Sequence, residues 1–399
     1  MLKKLFVFLI ILVSLFLIGK YGYKAFTNLR LNYALQQASD MPPEFWDKKY
    51  QNIPIKDKYK IVIITNNGGE RSYADFFKYA AEKKGWEVQI FFYQTLGHEA
   101  EILAFDPDFI LFSPYIDSRE LDMQIYAHRS KKYILSLSPI QLMAGDKFKR
   151  YDPYKAIYPF DRLLSISHGV LSASKELGFY KTIFDQAKKP FNGLQILPLA
   201  PDLNNQPSEP KSLMWMSGGW DKFRSSKNYK HFINLLSENV PMKVYGHYYA
   251  ASFLKSGIYD GYIPSSLEVF NTIRDNGIYL LTHSEEHIKA STPTLRIFEA
   301  AAANSVIISD NHPFVKEQFG NSVLYFDHTA SSEEMYRQVK AHMDWIMANP
   351  KKAKALAAKA HQIFSEKFTL DKDLVRIAKM HEYILLQEKA MNLKYSPAY

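Results

Sequence analysis

The chain has 399 residues, 47% hydrophobic and 15% aromatic, too much apolar matter for a disordered polymer and enough for two domains with cores of their own. Fifty Lys plus Arg against 41 Asp plus Glu leave +9, which suits anionic ligands or an anionic surface; with no arginine-rich run it does not mark a nucleic-acid binder. The absence of cysteine excludes disulfides, thiolate zinc sites and cysteine nucleophiles, and no Asn-x-Ser/Thr glycan acceptor occurs.

Residues 5–19 (LFVFLIILVSLFLIG) are an uncharged apolar run between Lys3, Lys4 and Lys20, Lys24. No small-x-small cleavage pattern follows, and Tyr21, Tyr23 and Phe26 are aromatics suited to headgroup depth. The expectation is an uncleaved membrane anchor over 1–24, single-pass or monotopic, with a linker over 25–58.

From Lys60 onward short β-branched or aromatic runs alternate with longer amphipathic stretches. The expected strands of the first half are 60–65 (KIVIIT), 87–93, 108–113, 132–138, 161–167 (DRLLSIS) and 194–199. Gly68 and Gly69 follow the first of them, a turn suited to close approach of a ligand. Asp146 and His168 follow later strands and are the candidates for a catalytic base. Residues 200–210 (APDLNNQPSEP) are polar and proline-containing, which expects an interdomain linker. The rhythm then resumes with strands at 212–217, 242–246, 277–282, 305–309 and 323–326, helices from about Ser226, over 266–274 and from Pro293, and a helical tail from Ser332. Near-continuous apolar strands with helical crossovers imply parallel sheets covered on both faces. The fold class is therefore α/β: two Rossmann-like doubly wound domains over 59–200 and 201–368 facing across a cleft, with a C-terminal helix over 369–399 that crosses back to the first domain.

Three segments of the second half carry chemistry. In 214–230, Gly218 and Gly219 allow close backbone approach, and Arg224 and Lys227 stand at the next helix start, where phosphate would meet cations and N–H groups together. The run His283-Ser-Glu-Glu-His287 lacks the Glu directly after the first His that a zinc helix requires, and His283 at a strand end could instead touch a sugar. In 291–311 (STPTLRIFEAAAANSVIISDN), Pro293 suits the first helical position, with Thr292 as the cap and an anion-binding start at Thr294. Arg296 in the first turn opposes the helix dipole, so its removal is expected to stabilise the ligand-free helix. Glu299 shares a face with Thr292 and Arg296 and can accept hydrogen bonds from a diol, or the Arg/Glu pair is simply a surface ion pair. Asn304 stands where a left-handed helix end is needed.

This last segment resembles the GT-B glycosyltransferases of the large group-one superfamily, whose second domain carries a Pro-x-x-x-(hydrophobic)-Glu-Ala helix, a small-residue turn and a short apolar strand. Here that pattern reads PTLRIFEAAAANSVIIS, followed by HPFVKEQFGNSVLYFD. The resemblance implies that Glu299 binds the nucleotide ribose, that Thr292, Thr294 and Arg296 lie at the diphosphate with the Gly218, Gly219, Arg224 and Lys227 loop, and that Tyr262 and Ile263 lie near the base. The second glutamate of retaining members falls eight residues before Glu299, at Ser291. The implied protein is a membrane-anchored, metal-independent glycosyltransferase that needs no cofactor beyond a nucleotide diphosphate sugar as co-substrate. Its acceptor would be a glycan or lipid-linked molecule, with the catalytic domains on the cytoplasmic side and no nucleic-acid partner. The alternatives are an exported two-domain solute-binding protein and a fucosyltransferase-type GT-B enzyme.

Overall fold

The computed structural model describes residues 43–65, 71–92, 98–112, 132–137, 167–173, 185, 188–217, 224–254, 257–263, 266–289 and 291–391. Helix α1 (Pro43–Tyr50) leads into the first sheet, which comprises β1 (Lys60–Thr65), β2 (Glu87–Phe92), β3 (Phe109–Phe112), β4 (Lys132–Leu137), β5 (Gly169–Ser172) and β6 (Gly193–Gln195). Between them lie α2 (Arg71–Lys83) and α3 (Glu99–Phe105). All pairings are parallel and the strand order is β2-β1-β3-β4-β5-β6. The strands read as continuous apolar runs because both faces are covered: β3 (FILF) is buried at every position.

The second sheet holds β7 (Ser212–Ser217), β8 (Met242–Gly246), β9 (Tyr259–Gly261), β10 (Gly277–Leu281), β11 (Val306–Asp310) and β12 (Leu324–Phe326). Its order is β12-β11-β10-β7-β8-β9, again all parallel. The chain direction across the sheet therefore reverses between β7 and β10, and a crevice opens beyond their carboxyl ends. The intervening helices are α4 (Lys227–Asn239), α5 (Tyr248–Ala251), α6 (Glu268–Asn276), α7 (Glu285–Lys289), α8 (Leu295–Ala302) and α9 (Pro313–Phe319). Three helices end the described chain: α10 (Ser332–Ala348), α11 (Pro350–Lys367) and α12 (Leu370–Met391).

Helix α12 packs on the first sheet. The Arg376 guanidinium donates to the Gln195 carbonyl at 2.8 Å and pairs with Asp47 of α1 and Asp373 of its own turn. A Cβ on Gly169 would meet the Met380 Cε at 3.0 Å, so the helix lies close over the start of β5, with the methionine tip at the contact. One buried cluster joins the sheets: Phe76 of α2 lies 5.1 Å from Phe270 of α6, and the Ser266 hydroxyl donates to Asp75 at 2.7 Å. The stretch 200–210 is no free tether. The Ser208 N–H donates to the Asn304 carbonyl at 2.9 Å, and the Asn205 amide donates to the Ala302 carbonyl at 3.0 Å.

Four expectations are corrected. Among the described residues no helix is long and apolar enough to cross a membrane, against the expected membrane helix, membrane partner and membrane location. The longest described helix, α12, carries Asp371, Lys372, Arg376, Lys379 and Glu382 and covers a sheet instead; the apolar run 5–19 lies outside the described residues. Part of the expected linker 25–58 is helix α1, whose Lys49 ammonium donates to the Phe191 carbonyl at 2.7 Å. The expected strands omit β5, Gly169–Ser172, whose Gly169 pairs with Ile134 of β4, while 161–166, where a strand was expected, lie outside the described residues. A sixth strand, β9, is added at the edge, too short and too half-exposed to carry an apolar signature.

Gly277 starts β10 at φ 77°, and a Cβ there would overlap the Glu209 carbonyl, whereas Gly85 at the same φ has nothing within 4 Å. Gly85→Ala should cost about 1–2 kcal/mol from the left-handed backbone alone. Gly277→Ala should cost well over about 2 kcal/mol, because the linker must also move. Denaturant melts of the two variants measure the difference.

Candidate functional site

The second sheet's crevice is lined by the segments that leave β10 and β11, and α8 is its centre. The helix begins two residues later than Pro293 suggests: its cap is Thr294, in extended conformation, with no side-chain capping bond. Thr292 and Pro293 belong to the approach, which turns at Ser291 through a left-handed φ of 50°. Helix α8 is buried nearly all round, with Ile297, Phe298, Ala300, Ala301 and Ala302 in the core. Glu299 is 0% exposed in the midst of them. The surface-pair alternative is thereby excluded.

The Arg296 Nη1 donates to Glu299 Oε2 at 2.6 Å, and the arginine side chain keeps 34% exposure on the outer side. Burial alone would lower the guanidinium's pKa, but the Glu299 carboxylate and the Tyr279 phenol override it and hold the cation firmly. The second carboxylate oxygen, Oε1, is buried and has no hydrogen-bond partner, and neither has the buried Thr294 hydroxyl. Unmet acceptors of this kind at a helix start are costly in the free protein and suit a ligand carrying hydroxyl donors. Burial pushes the Tyr279 phenol up, with Arg296, Glu299 and Arg224 as the charges acting on it, so Arg224 belongs to the same neighbourhood.

Beside this pair lies a cluster absent from the sequence reading except for His283 and His287. Directly after β10, the His283 N–H donates to Asp310 Oδ2 at 2.6 Å and its ring Nδ1 meets Asp310 Oδ1 at 2.8 Å. Asp310 ends β11, and its carboxyl would be raised by burial but is held low by His283. His312 lies ring to ring with His283, centroids 4.1 Å apart. Its Nε2 faces the carbonyls of His287 at 3.1 Å and Thr292 at 3.2 Å. Two carbonyls only accept, so Nε2 carries the proton. Burial pushes His312 down to about 3 and takes His287 well below the ordinary histidine range, with His283 opposing protonation of both. His287 sits in the short helix α7, its Nδ1 2.8 Å from the Ser284 hydroxyl. Among the described residues no group of three or more His, Asp or Glu side chains could hold a metal ion.

The other sequence candidates fall in different places. Ser226 caps α4 and accepts from the Tyr229 N–H at 3.2 Å, which puts Lys227, exposed, in the first turn. Gly218 and Gly219, with Gly68, Gly69 and Asp146, lie outside the described residues. Tyr262 is 63% exposed, lies tilted against His247 with ring centroids 5.3 Å apart and acts electrostatically on Arg296, while Ile263 packs on the shared core. His168 directly precedes β5. It therefore sits on the amino-terminal edge of the first sheet, 3.7 Å from Glu388 of α12 and away from the carboxyl-end crevice.

Because a 0%-exposed carboxylate faces Arg296, the helix-dipole expectation reverses. Arg296→Ala should destabilise the ligand-free protein by about 2–3 kcal/mol, somewhat less than a wholly buried pair since the cation is partly solvated. Denaturant melts check the sign. The histidines give a second expectation. Their folded pKa values are depressed, so between the ordinary 6.5 and about 3 the unfolded chain binds protons that the fold refuses, and stability falls with falling pH. Each such histidine contributes a slope of up to about 1.4 kcal/mol per pH unit. His312→Gln should flatten the slope by about one proton, read from denaturation midpoints between pH 7 and roughly pH 4.

Residues 224–379 match the family model described as glycosyl transferase-like. Similar solved structures include Anabaena Alr3699/HepE in complex with UDP and glucose, at 12% identity and TM-score 0.48, covering 83% of this chain and 100% of that one. A glycosyltransferase from Rickettsia africae is 12% identical at TM-score 0.43, covering 86% and 100%. The pneumococcal O-GlcNAc transferase GtfA, solved with UDP and GlcNAc, is 12% identical at TM-score 0.42, covering 72% and 59%. No curated protein sequence matches the chain. Two parallel α/β sheets with a returning C-terminal helix make the fold GT-B-like, and the matched residues 224–379 run from just before α4 into α12.

Proposed function

We propose that the protein is a glycosyltransferase that moves a sugar from a nucleoside diphosphate donor, bound at the crevice of the second sheet, to a glycan acceptor held by the first domain. The observation that carries this reading is the buried Glu299 carboxylate, one oxygen on Arg296 and the other unpartnered, at the start of a helix within the matched segment. The free oxygen suits a ribose diol: two neighbouring hydroxyls can each donate to a carboxylate, and charged acceptors make the stronger hydrogen bonds. The helix start at Thr294, with Arg296 and Arg224 close by, suits the diphosphate. Tyr262, exposed and within electrostatic reach of Arg296, would flank the base.

Sugar transfer breaks the bond between the anomeric carbon and the diphosphate oxygen, so negative charge grows on the departing diphosphate. Fixed cations and N–H dipoles aimed at that position lower the barrier most. Arg296, Arg224 and Lys227 would supply charge of the kind a divalent ion provides elsewhere, and donor binding is expected to persist in a chelator. The acceptor hydroxyl oxygen, offered from the first-domain side, would form the new bond to the anomeric carbon as the diphosphate leaves, and its proton would pass to the departing diphosphate.

Isothermal titration with UDP, GDP, ADP and dTDP in EDTA tests this. One of the four should bind, and Glu299→Gln should weaken it by about 1–3 kcal/mol, the cost of weakening hydrogen bonds to a charged group. The matching nucleoside should lose a similar amount, because Glu299 would meet the ribose. A folded Glu299→Gln protein with unchanged affinity would reduce that residue to an ion-pair partner of Arg296.

A further inference from the structure

The histidines beside α8 fix the segment from which α8 starts. Residues 282–294 leave β10, form the short helix α7, turn at Ser291 and arrive at the Thr294 cap. Within that segment the Thr292 N–H donates to the His287 carbonyl at 3.0 Å and the Ser291 N–H to the Ile288 carbonyl at 3.1 Å. One side chain from outside the segment closes it. His312, two residues past the end of β11, spans the turn by sharing its Nε2 proton between the carbonyls of His287 and Thr292. Asp310 does the same at the beginning of the segment by holding the His283 N–H and ring. The Lys316 N–H in turn donates to the His312 carbonyl at 3.0 Å, and the His312 N–H donates to the Asp310 carbonyl at 2.7 Å, so the clamp rests on β11 and α9.

We propose that His312 is a positioning residue of the donor site: by bridging His287 and Thr292 it sets where the start of α8, with Thr294 and Arg296, meets the diphosphate. The inference rests on the donor-site reading above. Three observations support it. The ring is 0% exposed, so the bridge is not in competition with water. The groups facing it are His283 from β10, His287 from α7 and Asp310 from β11, with Arg224 acting on His287 from the α4 side; burial and His283 together keep the His312 ring neutral. A neutral ring with its proton on Nε2 has one donor and two carbonyls to serve with it, leaving Nδ1 as a bare acceptor without a partner. The orientation of this histidine is therefore determined by the turn and by no competing contact on its other nitrogen.

A bridge of this kind does not touch the ligand, and its loss should misplace the phosphate half of the site and leave the base half in place. The test uses the full chain with two substitutions. His312→Gln keeps an N–H donor at nearly the reach of Nε2, and His312→Leu keeps bulk and removes the donor. Isothermal titration is run with the best-binding nucleoside diphosphate of the four, its parent nucleoside and inorganic pyrophosphate. Hydrogen exchange of the amides in 284–297 is followed alongside. The expected result is that His312→Leu loses at least tenfold in affinity for the diphosphate and for pyrophosphate, less than threefold for the nucleoside, and exchanges faster at 288–296. His312→Gln should stay within threefold of the wild type for all three ligands. A folded His312→Leu protein that binds the diphosphate as the wild type does overturns the role of His312 alone. Equal losses in the Gln and Leu variants, or equal losses for nucleoside and diphosphate, also overturn it, since they indicate packing and not positioning. A wild type that binds none of the diphosphates overturns the donor-site reading and the role of His312 with it.

Discussion

The burial of one carboxylate is the constraint on which the second domain is built. Taking Glu299 out of water is costly, and Arg296 at 2.6 Å offsets only one of its two oxygens. An apolar side chain in that place would pack with the surrounding alanines and Ile297 at no electrostatic cost. The helix keeps an acid there instead, with a cation half inside and half outside the protein. Such a pair is poor economy for stability and good preparation for a ligand that brings donors to one end and negative charge to the other.

A helix with that load must not shift, and α8 is held at both ends by segments far away in sequence. At its C-terminal end Asn304 takes the left-handed conformation, φ 53°, and its amide donates to the Asn205 carbonyl at 2.8 Å, while the Ser208 hydroxyl donates to the Ala303 carbonyl at 3.1 Å. That grip comes from the stretch joining the two sheets. At the N-terminal end the grip comes from Asp310, the last residue of the next strand, and His312 just past it. Any rearrangement of the two sheets is thus mechanically connected to the C-terminal end of α8 through 200–210, while the strand-end histidines hold its start. Phe76 of α2 and Phe270 of α6 form a further contact between the two halves.

The topology decides where this helix can act. With the order reversing between β7 and β10, the loops after these strands diverge and leave room beyond their carboxyl ends. Thr282, first past β10, accepts from the Trp215 indole at 3.4 Å and ties the two strands together at that point. His283 and the approach to α8 come immediately after it. The first sheet reverses between β1 and β3, and the returning helix α12 crosses it from the carboxyl end of β6, where Arg376 meets Gln195, to the amino-terminal edge, where Glu388 lies beside His168.

The sequence by itself determined the α/β class, most strand positions and the segment that matters, because strands buried on both faces must be apolar throughout and a left-handed helix end accepts few residues besides Gly and Asn. Strands 60–65, 212–217 and 277–282 were legible for that reason. Periodicity did not mark 169–172 as a strand, since four residues opening on a glycine carry little signal and only the pairing with β4 establishes it. Nor could it place β9, an edge strand three residues long. At the site, Arg296 and Glu299 were visible as neighbours on one helix face, but their burial was not, and burial inverts what Arg296 does for stability. Asp310 and His312 carried no signal at all: they stand 27 and 25 residues from their partners His283 and His287, and only the parallel pairing of β10 with β11 brings them together. Local chemistry is written in the order of residues, whereas the desolvation of a charge and the meeting of two strand ends exist only once the sheet has formed.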